Sequence, residues 1–180
     1  MGNAKIIKTG GLTIIALFSL IAVSQAQSPE KRLAEMKLSV PRPLPANNNY
    51  VGSVRSGNLI YLSGKGPRSS GGAYITGKLG QEINIVDGAE AAKLIALAQI
   101  GELQAILGDL SKVKRIVKVN GFVNSTADFS GQSIVLDGFS DLMVAVFGEK
   151  GKHARTSVGV ANLPLNMSVE IEMIVEAVPE

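Results

Sequence analysis

The chain has 180 residues, including 18 Lys+Arg and 15 Asp+Glu, which is enough for one ordinary domain with a real core. It contains no cysteine, so disulfides, thiolate catalysis and cysteine-ligated metals are excluded. A single histidine, His153, excludes most histidine-based metal sites within one chain, and we expect no metal.

The first 26 residues have the pattern of a secretory signal peptide. Lys5 and Lys8 precede an apolar run over residues 12–23, and Ser24-Gln25-Ala26 offers small residues for cleavage. We expect removal of residues 1–26 and a periplasmic or secreted protein with no stable membrane association; the alternative is an uncleaved anchor. Without the leader the net charge is 16 minus 15, or +1, so we expect no nucleic-acid partner.

The first elements of the mature chain are predicted to be a lead-in and a β-hairpin. Residues 27–45 form an extended N-terminal lead-in, in which the prolines keep Pro41–Pro45 extended and the short charged stretch Gln27–Met36 is flexible or helical. Two β-prone runs, Tyr50–Arg55 and Asn58–Ser63, flank the turn signal Ser56-Gly57. The Gly/Ser-rich stretch that follows predicts a loop with a short edge strand at Ala73–Thr76.

Two amphipathic helices are predicted, with a strand at Val113–Val123 between them. The first begins at the capping-box pattern Asp87-Gly-Ala-Glu90 and ends at Gly108. Its apolar residues recur every three or four positions, at Ala89, Ala92, Ala96, Ile100, Leu103 and Leu107. The second helix spans Asp137–Phe147 and is closed by Gly148.

The segment Ala154–Glu172 predicts two strands joined by a turn at Pro164. Strand parity puts Arg155 opposite the apolar Val158, and Glu170 alternates in the same way with apolar residues. We therefore expect Arg155 and Glu170 on the polar side of two neighbouring strands, where they could hold a small anionic substrate. The whole order of elements predicts an α+β fold, with two α-helices on one face of a mixed β-sheet.

An ordered set of motifs resembles the RidA (YjgF) family of small trimeric proteins. The C-terminal signature is an arginine, a short Val-rich strand, a Leu-Pro turn and Val-Glu-Ile-Glu, here Arg155 to Glu172. Supporting matches are Tyr50-Val51, Leu62-Ser63-Gly64, Val117-Lys118-Val119, Phe122-Val123 and Asp128-Phe129. The resemblance implies a chorismate-mutase-like domain over residues 46–180 and a homotrimer with three clefts between subunits.

The resemblance also implies an activity, the hydrolytic deamination of 2-enamine/2-imine acids to 2-keto acids and ammonia without a cofactor. Arg155 matches the arginine that binds the substrate carboxylate, a role suited to its bidentate geometry. Glu170 matches the glutamate that positions or activates water, and Ser157 replaces a frequent cysteine as a catalytic hydrogen-bonding group. Tyr50 and Ser63 match positions that line the same pocket.

Other readings remain open at this point. A non-catalytic trimer could bind small carboxylates, such as keto acids, at Arg155. Endoribonuclease activity is also attributed to parts of the family, but the near-neutral mature charge and 4% aromatic content give it little support. His153 is the one candidate for a serine-type base, without an identifiable carboxylate partner, so a surface or interface role is the alternative. Asp137 falls near a position where related proteins often carry asparagine, which leaves the substrate range open.

Overall fold

The computed structural model describes residues 27–43, 45 and 49–179. In these ranges a five-stranded mixed sheet is combined with three α-helices, which confirms the predicted α+β class. The helices are α1 (Pro29–Glu35), α2 (Ile85–Leu107) and α3 (Gln132–Phe147), and the strands are β1 (Ser53–Ser56), β2 (Leu59–Lys65), β3 (Val113–Asn124), β4 (Ala154–Val160) and β5 (Val169–Ala177). The predicted leader, residues 1–26, lies outside the described residues.

The N-terminal region contains helix where an extended lead-in was expected. Helix α1 lies within residues 27–45, begins at the N-cap Ser28 and buries Leu33 in the core. The charged stretch is therefore helical, one of its two predicted alternatives. Within the described ranges, none of the helices is long and apolar enough to cross a membrane.

The N-cap of helix α2 lies three residues before the predicted cap. Asn84 is the N-cap, and its Oδ1 accepts hydrogen bonds from the backbone N–H groups of Val86 and Asp87, both at 2.9 Å. The prediction of Asp87 as the cap was wrong, because the side-chain amide oxygen of Asn84 accepts from the first-turn N–H groups instead. Gly108 ends the helix with φ of 72°, which confirms the predicted stop.

Helix α3 begins at Gln132, five residues earlier than predicted. Its N-cap, Gly131, makes no side-chain capping bond, so the sequence carries no start signal there. Val135 and Leu136 in the added turn are fully buried. Gly148 is the C-cap, as predicted.

The loop between β2 and α2 does not contain the predicted edge strand. Tyr74 and Thr76 make only isolated bridges, with Arg68 and Met167 respectively. The hairpin of β1 and β2 is present, and Gly57 in its turn has a φ of 59°. Glycine adopts this left-handed conformation at little steric cost.

The strand order is β1-β2-β5-β3-β4, so the expected adjacency of β4 and β5 was wrong. Strand β4 pairs in parallel with β3 and forms an edge, while β5 pairs antiparallel with the other side of β3. Helix α3 supplies the crossover that a parallel β3–β4 pair needs. The chain then returns past β3 to form β5.

Helices α2 and α3 cover one face of the sheet. On β5 the side chains that face them are buried, and they alternate with Glu170, Glu172, Ile174 and Glu176 on the uncovered face. Gly121 of β3 lies under α3, where an added Cβ would be 2.0 Å from Cδ2 of the buried Leu136. Glycine here permits the helix to approach the sheet closely.

Strand β4 presents its polar residues to the helices, which reverses the predicted faces. Arg155 and Ser157 pair with Val119 and Gly121 of β3, whose helix-facing side is buried. Val158 points to the uncovered side and is 40% exposed. The prediction failed because β4 is an edge strand, where an apolar side chain can remain exposed, so that parity alone does not identify the core side.

Candidate functional site

The guanidinium of Arg155 is held between β4 and α3. Its Nη1 donates to Asp137 Oδ1 at 2.8 Å and to Ser140 Oγ at 3.0 Å, while Nη2 donates to the Ser133 carbonyl at 3.3 Å. All three acceptors belong to α3, from its first turn at Ser133 to its middle at Ser140. The Arg155 side chain is 23% exposed. Charge-assisted bonds of this kind fix both the position and the plane of the group.

Ser140 connects Arg155 to the one histidine of the chain. Its Oγ lies 3.0 Å from His153 Nε2, and His153 Nδ1 lies 2.7 Å from the Gly151 carbonyl. Burial lowers the pKa of His153, and the charge of Arg155 lowers this pKa further against the raising effect of the Gly151 bond. His153 is therefore part of a polar network behind Arg155, not an isolated surface group.

Ser157 follows Arg155 on the same side of β4. Its hydroxyl makes no hydrogen bond to any described residue, so it remains available to a ligand. Beyond it, Gly159 lines an open groove of about 610 Å³ together with Lys78, Ser125 and Gln132. Lys78 Nζ donates to Asn124 Oδ1 and to the Ala161 carbonyl, so the groove ends at a cation already engaged with the fold.

Glu170 lies on the uncovered face of β5, opposite the backbone of Gly64. A Cβ added to Gly64 would be 2.2 Å from Glu170 Oε1, so the glycine makes room for the carboxylate. Burial raises the pKa of Glu170, and the charge of Glu172 raises it further. Within the described part of the chain, Glu170 has neither a hydrogen bond nor an ion pair, whereas Glu172 accepts a bond from Asn120 at 2.9 Å.

Ser63 lies on the uncovered face of β2, on the same side of the sheet as Glu170, and Tyr50 precedes the hairpin. Ser63 precedes Gly64, and its hydroxyl donates to the Val51 carbonyl at 2.7 Å. Tyr50 is 64% exposed. Ser63 thus has a structural bond and a position next to the Glu170 carboxylate, and Tyr50 is free to contact a ligand or another chain.

The predicted site residues fall into two groups that a single chain does not bring together. Arg155 and Ser157 face the helices from the edge strand β4, whereas Glu170 lies on the other face of β5. β3 separates these strands, so the two groups are displaced by roughly 10 Å across the sheet. The sequence did not reveal the roles of Asp137 and Ser140, although their spacing of three on a helix places them on one face.

In the ranges that the structure describes, acidic and histidine side chains do not cluster in a way that could hold a metal ion. The chemistry that the site can perform is that of a positioned guanidinium, two hydroxyls and one carboxylate of raised pKa. A raised carboxylate pKa in a partly closed setting is a common feature of functional acids and bases.

Comparison with known proteins identifies the class to which this fold and these residues belong. The family model described as "YjgF/chorismate mutase-like, putative endoribonuclease" matches residues 30–177, which is most of the chain. The protein therefore belongs to the YjgF/RidA family.

The chain aligns with nearly the whole length of several relatives. Protein TCP17 of Trypanosoma cruzi is 43% identical over 145 residues, covering 80% of this chain and 91% of its own. The 2-iminobutanoate/2-iminopropanoate deaminase of Dermatophagoides farinae is 31% identical over 147 residues, covering 81% and 95% respectively. A solved "putative endoribonuclease" from Shewanella oneidensis MR-1 has a TM-score of 0.80 at 31% identity, covering 83% of this chain and 99% of its own.

Proposed function

We propose that this protein hydrolyses 2-enamine/2-imine acids to 2-keto acids and ammonia, without a cofactor. The observation that carries the proposal is Glu170, a half-buried carboxylate of raised pKa without a partner among the described residues, at the position of the family's glutamate. A relative of 31% identity is named as an imine deaminase, which supports the same reaction.

The chemistry assigns one task to each group. Arg155 donates three of its five N–H groups within the chain, so two remain for a substrate carboxylate. Glu170 accepts a proton from water as the water oxygen bonds to the imine carbon and the C=N π bond breaks, and it returns this proton to the nitrogen. The remaining hydroxyl proton then moves to the nitrogen, the C=O bond forms and the C–N bond breaks, which releases ammonia and the 2-keto acid. Ser157 offers a hydroxyl beside Arg155 that can bond to the substrate. Positioning supplies much of the rate, because such imines also hydrolyse unaided.

The site is completed between chains. Arg155 is on the β4 edge, while Glu170 and Ser63 belong to the side of the sheet that ends with β1. A head-to-tail contact between these two sides would place one chain's Arg155 near its neighbour's Glu170, and repeated contacts of this type close into a ring. We propose a homotrimer of this arrangement. The uncovered face offers Val54, Tyr61 and Val158 as exposed apolar contacts for it.

The test is an assay of ammonia release from 2-imino acids generated in place by an amino-acid oxidase. We expect the wild type to accelerate the release, and Glu170→Gln and Arg155→Ala to return it to background. Matched controls are Glu176→Gln, a bonded carboxylate on the same strand and face, and Arg115→Ala, an exposed arginine paired with Glu176. Equal activity of wild type and Arg155→Ala would refute the proposal.

Mixing the two inactive variants tests whether the site is shared. In an assembly of Arg155→Ala and Glu170→Gln chains, some clefts contain the intact arginine of one chain and the intact glutamate of another. We therefore expect activity to return after co-expression or after unfolding and refolding together. If both residues act within one chain, no cleft is intact and the mixture stays inactive.

A second candidate is a non-catalytic trimer that binds small carboxylates at Arg155. The separation of Arg155 from Glu170 within one chain favours keeping it, because carboxylate binding needs only the first of these residues. Saturable 2-oxobutanoate binding that is lost in Arg155→Ala, with imine hydrolysis at background, would support this candidate. RNA cleavage that persists through further purification of the wild type and is lost in Arg155→Ala would instead support an endoribonuclease.

We propose, in addition, that the chain is exported and loses residues 1–26. N-terminal sequencing of the protein from the periplasm or medium of an expressing bacterium should begin near Gln27. Recovery of the intact N-terminus from the membrane fraction would contradict this and favour an anchor.

A further inference from the structure

Four groups form a continuous chain of hydrogen bonds behind the substrate arginine. Arg155 Nη1 contacts Ser140 Oγ at 3.0 Å, Ser140 Oγ contacts His153 Nε2 at 3.0 Å, and His153 Nδ1 contacts the Gly151 carbonyl at 2.7 Å. The histidine ring also packs edge-on against Phe139, with centroids 6.4 Å apart. The imidazole is thus fixed by α3 on one side and by the turn before β4 on the other.

The donors and acceptors of this hydrogen-bond chain are all matched, without placing two cations on one oxygen, when His153 is neutral. The Gly151 carbonyl can only accept, so His153 Nδ1 carries the proton and Nε2 is left as an acceptor. Ser140 therefore donates its hydroxyl proton to Nε2, and its Oγ lone pairs accept from Arg155. Every polar atom in the series has a partner of the right kind.

Protonation of His153 reverses this arrangement. Nε2 then becomes a donor, and Ser140 Oγ must accept from two cationic groups at once, His153 and Arg155. The charged groups near the imidazole are Arg155 on β4 and its partner Asp137 on α3, while Lys152 on the histidine's own segment is paired with Glu149. The protonated imidazole and the guanidinium of Arg155 then repel each other across Ser140 Oγ, which weakens the hold of Ser140 on Arg155.

We propose that His153 is a positioning residue, which holds Arg155 through Ser140 in the orientation that binds the substrate carboxylate, and that this hold is released when His153 is protonated. The proposal rests on the proposed role of Arg155. It assigns to His153 no contact with substrate and no proton transfer to it.

The first experiment tests the network without any ligand. Since His153 is the one histidine in the sequence, its imidazole NMR signals are assigned without ambiguity. We expect the Nδ1–H tautomer and a titration below the ordinary range of histidine in the wild type. Ser140→Ala, which removes a donor to the neutral ring, should raise the pKa of His153, whereas Ser133→Ala on the same helix should leave it unchanged. An unchanged titration in Ser140→Ala would overturn the proposal.

The second experiment measures the affinity for 2-oxobutanoate between about pH 5 and 8 by calorimetry. Wild-type affinity should fall about tenfold as His153 gains its proton, which is the effect of losing one charge-assisted bond. His153→Gln, whose amide oxygen can replace Nε2 as an acceptor, should keep the affinity at neutral pH and lose this pH dependence. His153→Phe keeps a ring against Phe139 but has no acceptor for Ser140, so its affinity for 2-oxobutanoate should be low at every pH.

The two proposals fail in different ways. A wild type that binds 2-oxobutanoate but does not hydrolyse imines refutes the deaminase alone. Identical pH profiles of wild type and His153→Gln refute the positioning role alone, whatever the catalytic result. Absence of 2-oxobutanoate binding at every pH would refute the positioning role, while ammonia release alone would decide the deaminase.

Discussion

The two faces of the sheet differ in whether their functional charged residue has hydrogen-bond partners within the chain. On the helix-covered side, Arg155 bonds to three acceptors of α3 and is connected through Ser140 to the partly buried His153. On the uncovered side, Glu170 is half-buried without a partner among the described residues, and burial raises its pKa. The guanidinium is already organised for binding, while the carboxylate is desolvated and lacks a partner. Such a contrast is expected when the second group is completed by a ligand or a neighbouring chain.

Among the changes that test this contrast between the two faces, Gly64→Ala on the uncovered side should have the largest effect. The added Cβ would fall 2.2 Å from Glu170 Oε1, so the flexible end of the glutamate must move while the backbone stays. We expect loss of imine hydrolysis by about a hundredfold, the cost of misplacing a catalytic group by an ångström, with little change in thermal stability. Gly71→Ala, at an open position with ordinary φ, is the control. An active Gly64→Ala would remove Glu170 from the mechanism.

The equivalent change on the covered side should affect stability instead. In Gly121→Ala the new Cβ would be 2.0 Å from Cδ2 of Leu136, which is fully buried and cannot swing into solvent. We expect the free energy of unfolding to fall by about 1–3 kcal/mol, as for other overpacked cores. Denaturant titration measures this change. If Gly121→Ala unfolds like the wild type, close packing of α3 on β3 at Gly121 and Leu136 is refuted.

Replacement of the guanidinium by an ammonium tests the value of its orientation. Arg155→Lys keeps the charge but cannot keep the planar set of bonds to Asp137 and Ser140 while presenting a fork to a carboxylate. We expect 2-oxobutanoate affinity to fall about tenfold, the effect of one lost charge-assisted bond. Arg115→Lys, on the exposed face of β3, should bind as the wild type does. Equal affinities of the two variants would show that charge alone suffices.

The smallest expected effect is the contribution of Glu170 to the pH dependence of folding stability. Its pKa is higher in the folded than in the unfolded chain, so the folded state holds more protons and stability falls as pH rises through this interval. Glu170→Gln should therefore be more stable than the wild type at neutral pH, and this advantage should disappear in acid, where the glutamate is protonated in both states. Thermal melts at several pH values measure the difference. Glu172→Gln should lower the pKa of Glu170 by removing its neighbouring charge.

Local patterns in the sequence predicted much of the fold and little of the spatial arrangement of the site. The helix stop at Gly108 and the apolar alternation of β5 were identifiable because both depend on nearby residues. The position of β3 between β4 and β5 was not, because strand order depends on the crossover through α3. The start of α3 at Gln132 was missed for a different reason, since its cap has no side-chain signal.

The side on which Arg155 lies illustrates the limit most clearly. Its parity relative to Val158 was correctly identified, but the assignment of Val158 to the core was wrong. An edge strand is paired on one side only, and its apolar residues can be reserved for another chain. Parity reports which residues share a face, and it does not report which face is covered.

Gln99 reveals how the core accommodates an irregular strand. From the middle of α2 its side-chain amide donates to the carbonyls of Ser63, at 3.0 Å, and Ile171, at 2.9 Å, where the pairing of β2 with β5 shifts register. Its own Oε1 is buried without a partner among the described residues. The nitrogen thus replaces the sheet hydrogen bonds that the shift removes, at the cost of one unsolvated oxygen. Hydrogen exchange at β2 should therefore report on a helix residue in the adjacent layer, so that a change to Gln99 would loosen the hairpin before it loosens α2.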